Sequence, residues 1–526
     1  MTENHVFWGE IHDNVCQFED CPVTPEQSVA LARSHLDFYA PAYYVSASLL
    51  VEAVDGPPGA IGLEGWKSPE KLARQWAQVQ EATRAGYEPG AFVTFPGYEW
   101  QGDGSSGDHN VIFREEGGEI TRVATLTELY AALQGRDAVA IPHHTAYQPG
   151  HRGRDWGVHD ERLSPFAEIY SVHGSSEADE EWIGLRINAK MGPGVAGGTY
   201  QEALERGLHL GAVCSTDGTG LFPGIYGWGL MACLAPELTR EALWAAFGER
   251  RVYGVTGDRI VMDFRVNGAP MGACIAARGR PELHVAVEGL EALDRIEVLR
   301  GSRVIHTHAH QGTWEVPRPG QRSRFRLRIE TGWGPFAREA GERAPREWRG
   351  TLTLSGGGRV LGWSPCWLIG GQQAPAIDGA VVRFSLLAPQ PSPGDAALRR
   401  FQNANVFEFE ARPEDLLELQ IGGLSLRASV GELCRGSRVL WDGPEAERLL
   451  RERFGVAVEE LERPGLTRLL AHKAKVHRVI PEAGYATSFS LVDDEPLLGE
   501  TSYRIRVEQR NGQRAWSSPI WVRPEP

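Results

Sequence analysis

Short apolar runs alternate with amphipathic stretches through the first half of the chain. His5–Ile11 reads as a strand, and Thr24-Pro25-Glu26-Gln27 then predicts a helix start. Thr24 is placed as N-cap, Pro25 at the first helical position, and Gln27 where it closes a capping box. Leu36–Ala42 is a second apolar run; Ser68-Pro69-Glu70 opens a long helix that Gly86 can end. Strands are predicted at Phe92–Pro96, Val111–Phe113, Ala138–Ile141, Glu168–Ser171 and Leu210–Ser215, with helices over Thr199–Arg206 and from Thr239. Strand, helix and strand at this spacing predict parallel βαβ units, closed into a barrel or left open.

Near Gly257-Asp258-Arg259 the period changes. Short alternating runs broken by Gly and Pro follow, at Leu283–Val287, Arg295–Leu299, Phe325–Ile329, Thr351–Leu354 and Val382–Leu386. Tyr503–Glu508 and Trp516–Val522 flank Asn511-Gly512, a hairpin signature. A helix is predicted around Pro444–Arg453. The expectation is therefore a β/α domain over residues 1–258 and a mainly β, sandwich-like domain over 259–526. Trp314, Trp333, Trp348, Trp363, Trp367, Trp441, Trp516 and Trp521 fall in the second half, where packing of a broad β core accounts for them.

Composition narrows the partners. A chain of 526 residues exceeds one core and suggests two domains. A formal net charge of −15 argues against a nucleic-acid partner. It leaves a small anionic substrate open, because bound metals reverse the local field. No apolar stretch reaches the ~20 residues that span a bilayer, and no basic region followed by an apolar stretch marks a signal peptide at Met1–His5. Seven scattered cysteines predict a reducing, cytoplasmic setting, with Cys16 and Cys21 as ordinary thiols.

The chemistry lies at the strand ends. His12 ends the first apolar run, and Glu99 follows another in Phe95-Pro96-Gly97-Tyr98-Glu99-Trp100. His109, His143 with His144, Glu168, His173 and Asp217 each stand at or just past a further run. A lone His or Asp there is usually a hydrogen-bonded structural group; a series at successive strand ends is what a β/α barrel gathers at one rim. Neutral imidazoles with a short carboxylate suit divalent cations that activate water. His151, His159 and His209 lack that placement.

These residues resemble the PHP superfamily, named for polymerase and histidinol-phosphatase domains, in its bacterial branch with a β-rich C-terminal half. The likeness rests on Gly9-Glu10-Ile11-His12, Pro96-Gly97-Tyr98-Glu99-Trp100, Asp108-His109-Asn110-Val111, Ile141-Pro142-His143-His144, Glu168-Ile169-Tyr170-Ser171 with His173-Gly174-Ser175-Ser176-Glu177, Thr256-Gly257-Asp258-Arg259-Ile260 and Ala515-Trp516-Ser517-Ser518. It implies an α/β fold, a distorted, TIM-like β/α barrel, followed by the β sandwich. It further implies zinc, manganese or iron, and commonly phosphoester hydrolysis. Ligands carried over by match are His12, Glu99, His109, His143, His173 and Asp217. His144 is an additional candidate, and Glu10 and Glu168 are outer groups that orient the imidazoles.

The departures are as informative. The family's His-x-His reads His12-Asp13-Asn14, its His after the second strand is replaced in Tyr43-Tyr44, and its final Asp-x-His reads Asp217-Gly218-Thr219. The resemblance thus implies a reduced site of one or two metals per chain. Glu99, His144, Tyr44 as proton donor and Arg154 of the loop His151-Arg152-Gly153-Arg154 are the catalytic candidates, with Arg259 a second possible clamp. The leading expectation is a metal-dependent phosphoesterase-like hydrolase; lactone, amide or C–C cleavage, or a binding protein derived from the enzyme, are the alternatives.

Overall fold

A computed structural model describes residues 4–17, 21–45, 67–181, 183–185, 191–218, 220–311, 314–336, 345–389 and 402–525. The first 255 residues contain β1 (His5–Val15), α1 (Pro25–Arg33), β2 (Phe38–Tyr44), α2 (Pro69–Gly86), β3 (Val93–Thr94), β4 (Gly97–Trp100), β5 (His109–Phe113), α3 (Leu126–Leu133), β6 (Ala138–Pro142), β7 (Phe166–Ser171), β8 (Gly174–Ser175), α4 (Tyr200–Glu205), β9 (Gly211–Cys214), β10 (Leu230–Ala235), α5 (Arg240–Gly248) and β11 (Val252–Val255). Local chemistry sets the helix starts. Thr24 accepts from the Gln27 amide while Gln27 Oε1 accepts from Thr24 N–H at 2.9 Å, the capping box expected from the sequence. Thr125 with Glu128 and Thr199 with Glu202 repeat the device, and Ser68 caps α2.

Strand pairing departs from the expected parallel barrel. β1 pairs with β2, and β2 with β3 and β4, in parallel. β4–β5, β5–β6, β1–β10 and β10–β11 are antiparallel. The run β6-β5-β4-β2-β1-β10-β11 forms one side, and β8-β7-β9 is a separate sheet with β7 and β9 parallel. Among the described residues no ladder joins β6 to β7, so the fold is mixed α/β and strand-rich, without a closed hydrogen-bonded barrel. The apolar runs fixed where strands form, but β4 to β6 follow at spacings that antiparallel neighbours also satisfy.

The chain divides discontinuously, not at residue 258. One compact unit contains residues 1–289, 293–310 and 487–526; the other contains 290–292 and 311–486. Burial explains the difference. Met262, Phe264, Val285, Ile296 and Val298 share one apolar cluster with Trp8, Tyr39 and Tyr253. The change of period near 258 thus marks a switch of element type inside a unit. The hairpin strands Thr501–Gln509 and Arg514–Ser517 also belong here: Gly254 stands opposite Trp516 at the edge of β11. The second unit does hold two stacked-type sheets, one with Ser323–Trp333 and Asn403–Ala411, the other with Arg346–Leu354 and Val381–Ala388. Phe384 and Phe407, one from each, lie 5.3 Å apart between ring centres. The helix expected around Pro444–Arg453 spans Gly443–Phe454.

Candidate metal centre

Every expected rim residue lies in the first unit, His12, Glu99, His109 and Glu168 within β1, β4, β5 and β7, and His143, His144, His173 and Asp217 in the segments after β6, β7 and β9. His12, Glu99 and His143 converge, as do His12, Glu168 and Asp217, and Asp108, His143 and His144. Within each group the candidate donor atoms lie within 4.8 Å of one another. His12 Nε2 is 4.0 Å from Glu99 Oε2 and 3.3 Å from Asp217 Oδ1. His143 Nε2 is 3.8 Å from Glu99 Oε1. The imidazoles form a chain, with ring centres 4.2 Å apart for His12–His143, 4.4 Å for His143–His144 and 5.1 Å for His144–His173.

The ring orientations fit cation binding. A ligating imidazole holds one nitrogen with an outer partner and offers the other to the ion. His12 Nδ1 lies 2.9 Å from Glu168 Oε2, and His173 Nδ1 2.8 Å from the Tyr147 hydroxyl. His109 Nδ1 lies 3.1 Å from the Gly107 carbonyl. Nε2 of His12 and His109, both nitrogens of His143, Glu99 Oε2, Asp108 Oδ1, Glu168 Oε1 and Asp217 Oδ2 are buried without a hydrogen-bond partner. Buried polar atoms are nearly always hydrogen-bonded, so a convergent set of orphans is the signature of a place built for a bound group. His173 joins through Asp217, at 3.1 Å from Oδ2. His109 is buried with its Nε2 uncommitted but stands outside the three converging groups.

Electrostatics agree. Burial lowers the His143 and His109 imidazoles well below their ordinary range, keeping them neutral as ligands must be. Burial alone would also lower His12, but the Asp217 and Glu168 carboxylates outweigh it and raise it well above its usual value. Against its own burial, Asp217 is pulled well down by His12 and His173. The carboxylate field at His12 thus favours positive charge. His144 and Asp217 also sit at left-handed backbone angles, φ 34 and 48. Such angles are strained for these residues and collect at functional sites.

The outer groups account for several sequence features. Glu10 accepts from the His12 amide at 2.7 Å and from the Thr216 amide, tying β1 to the turn after β9. Burial, with Asp13 adding, pushes its carboxyl up to about 8. Asn14, where the resemblance places a ligand, donates Nδ2 to Asp217 Oδ1 at 3.2 Å. Gln101 donates Nε2 to both Glu99 Oε1 and the Tyr44 hydroxyl, at 2.8 and 3.0 Å, which brings Tyr44 to the edge of the site. Asp13 is engaged by Tyr39, Ser28 and the Gly220 amide, and His35 by Ser34 and the Pro223 carbonyl. Thr219 lies outside the described residues.

Some expectations need correction. Arg154 is fully buried and its guanidinium donates to the carbonyls of Ser106, Asp155 and Val158 and to Tyr130, so it braces the loop rather than facing substrate. Arg259 donates to the His35 carbonyl and lies over the Trp8 ring. Cys16 and Cys21 are joined as a disulfide with Cα atoms 4.5 Å apart, not free thiols. Asp108 escaped the sequence reading, because His109 beside it is the more familiar ligand type; the Asp-His pair itself was the available signal.

A family described as "Protein of unknown function (DUF3604)" matches residues 46–150. An uncharacterized protein of Chlamydia pneumoniae is 27% identical over 253 residues, 44% of this chain and 40% of its own length. Another, of Chlamydia trachomatis serovar D, is 29% identical over 203 residues, 36% of this chain and 32% of its length. The chain thus spans well under half the length of these curated relatives. A two-domain crystal structure from Bacteroides vulgatus, titled as containing a predicted PHP-like metal-dependent phosphoesterase, overlays with a TM-score of 0.33 at 11% identity, covering 56% of this chain and 79% of that one.

Proposed function

We propose that this protein is a metal-dependent hydrolase with a one- or two-cation site that cleaves a phosphoester or related bond of a small molecule. The observation that carries the reading is the convergent set of orphaned imidazole and carboxylate atoms around His12, Glu99, His143 and Asp217. His12, Glu99 and Asp217 would hold one cation, and Glu99, Asp108, His143 and His144 a second, with His173 and His109 as further donors. Divalent cations bound there would supply an activated water at neutral pH and stabilise charge on the reacting oxygens. The chain's own residues do the rest. Glu168 fixes the His12 tautomer, Glu10 and Asn14 hold His12 and Asp217 in register, and Gln101 orients Glu99 toward both cation positions. Tyr44, whose hydroxyl accepts from Gln101, would hand a proton to a departing group.

Zinc, manganese or iron suits an imidazole–carboxylate donor set. No helix among the described residues is long and apolar enough to cross a membrane. Cytoplasmic residence rests on the thiols Cys214, Cys233, Cys274 and Cys434, and the Cys16–Cys21 disulfide is the observation against it. Elemental analysis of the purified protein, followed by assays on p-nitrophenyl phosphate and a panel of lactones and esters, tests the proposal. Stoichiometric metal with phosphoester turnover is expected; protein that takes up no divalent metal from Zn, Mn and Fe solutions sinks it.

A further inference from the structure

We propose that Arg152 reads an oxygen of an anionic, phosphate-like group on the substrate, a role that rests on the hydrolase reading above. Arg152 Nε donates to Asp108 Oδ2 at 2.7 Å, and Nη2 pairs with the same oxygen at 2.5 Å. Asp108 is fully buried and the Arg152 side chain 22% exposed, so the guanidinium reaches from the metal rim toward solvent. His144 Nε2 approaches the same Oδ2 at 3.4 Å, and Asp108 Oδ1 keeps a free lone pair for a cation. One edge of the guanidinium is thereby spent on orienting a candidate ligand. Its Nη1 has no hydrogen-bond partner among the described residues. A planar fork with one edge anchored and Nη1 left over is the arrangement that suits a second, incoming oxyanion.

The loop is built to hold this posture. Arg152 has φ 68, a left-handed angle that a branched or long side chain adopts only under constraint. Its amide donates to the Gly104 carbonyl at 2.8 Å, and a Cβ on the next residue, Gly153, would lie 1.7 Å from the Tyr147 carbonyl oxygen. The backbone therefore passes where only glycine fits, and the turn delivers Arg152 to Asp108. Against its own burial, the guanidinium is held charged chiefly by the Asp108 carboxylate, with Glu99 adding. The other cations nearby are committed: Arg154 to backbone carbonyls, and Lys67 to the Tyr44 carbonyl, with its ammonium 4.3 Å from the centre of the Tyr43 ring.

The test titrates inorganic phosphate into the full-length protein by calorimetry, with metal content measured on the same samples, for wild type, Arg152→Met and Arg152→Lys. The expected result is phosphate binding by wild type, weakened by about tenfold or more in Arg152→Met for loss of a charge-assisted fork. Arg152→Lys should recover part of the affinity, and all should hold the same metal. Equal phosphate affinity in wild type and Arg152→Met overturns the assignment. So does loss of metal in step with phosphate, which would mean that Arg152 serves only to hold Asp108. Metal-loaded wild type that ignores phosphate also rejects Arg152 as its reader while leaving the hydrolase reading intact. Phosphate binding that depends on Arg152 in protein that takes up no metal would support this assignment and refute the hydrolase reading instead.

Discussion

Two clusters of buried charge lie in the first unit, and they differ in how their carboxylates are satisfied. At the rim, Glu99 Oε2, Asp108 Oδ1, Glu168 Oε1 and Asp217 Oδ2 have no hydrogen-bond partner. Glu177 is equally buried, yet both its oxygens are engaged. Arg504 Nη1 and Arg506 Nη1 donate to it, and Trp516 Nε1 donates at 2.6 Å. Arg504 leaves Nε and Nη2 unpartnered, but its charge is met by Glu177 directly and its guanidinium carbon lies 6.0 Å from the Tyr200 ring centre. Burial of charge alone therefore does not mark a functional site. What distinguishes the rim is that each of these carboxylates keeps one oxygen without a hydrogen bond beside imidazole nitrogens that also lack one, whereas both oxygens of Glu177 close on donors.

The sharpest way to break this contrast is to remove Glu177. Glu177→Ala strands Arg504 in the interior, and a buried charge left without its partner costs about 3–5 kcal/mol. Guanidinium unfolding should show that loss while metal content of the folded fraction holds; a midpoint within error of wild type would mean the network is dispensable. Glu99→Gln should do the reverse. Metal falls below wild-type occupancy and phosphoester hydrolysis drops by about 10²-fold or more, since the shared carboxylate is lost, while stability stays level or rises. Full metal occupancy in Glu99→Gln would remove Glu99 from the ligand set.

A smaller effect comes from Glu181, near the Glu177 network, whose carboxyl is raised from 4.5 to about 7 by burial with Glu177 adding. The folded state then keeps a proton that the unfolded chain releases. This contribution to stability is complete below 4.5 and is lost as pH rises through about 7. Stability of wild type should fall across that window by roughly 1–3 kcal/mol, and Glu181→Gln should flatten the slope; parallel curves for the two proteins would refute it. The mildest change is Asn14→Ala. Loss of its bond to Asp217 should weaken metal affinity by about tenfold, as for outer-shell partners generally, with unfolding almost unmoved. An unchanged zinc affinity, read by competition with a chelator, would leave Asn14 without that role.

The rim was legible from sequence because strand ends are local features. His12, Glu99, His143 and Asp217 each follow an apolar run, and apolar runs locate strands whatever their pairing. Direction was not legible: β5 and β6 run antiparallel to their neighbours, and nothing in His109–Phe113 or Ala138–Pro142 distinguishes that from a parallel crossing. Nor could spacing separate Arg152 from Arg154. They stand two residues apart in one loop, and a left-handed turn at the first sends one guanidinium to Asp108 and the other to backbone carbonyls. The Glu177 partnership joins residues 327 and 339 positions apart, and a single sequence holds no signal for such a pairing. The two quoted motifs His173–Glu177 and Ala515–Ser518 were each visible; that they meet was not.

The terminal hairpin has a consequence for synthesis. Arg514–Ser517 borders β11 with Thr501–Gln509 paired outside it, Ser518 donates to the Val252 carbonyl and accepts from the Ala212 amide, and Trp516 reaches Glu177. The unit that carries the metal rim cannot finish its sheet until residues 501–518 have emerged, although its first strand appears some 500 residues earlier by the numbering of β1 and the hairpin. Contacts of such separation form slowly and leave an open sheet edge exposed meanwhile. During translation at about 5–20 residues per second, the nascent chain spends tens of seconds with the flank of β11 bare, which makes that edge the place where a chaperone, or another copy of the chain, would meet it first.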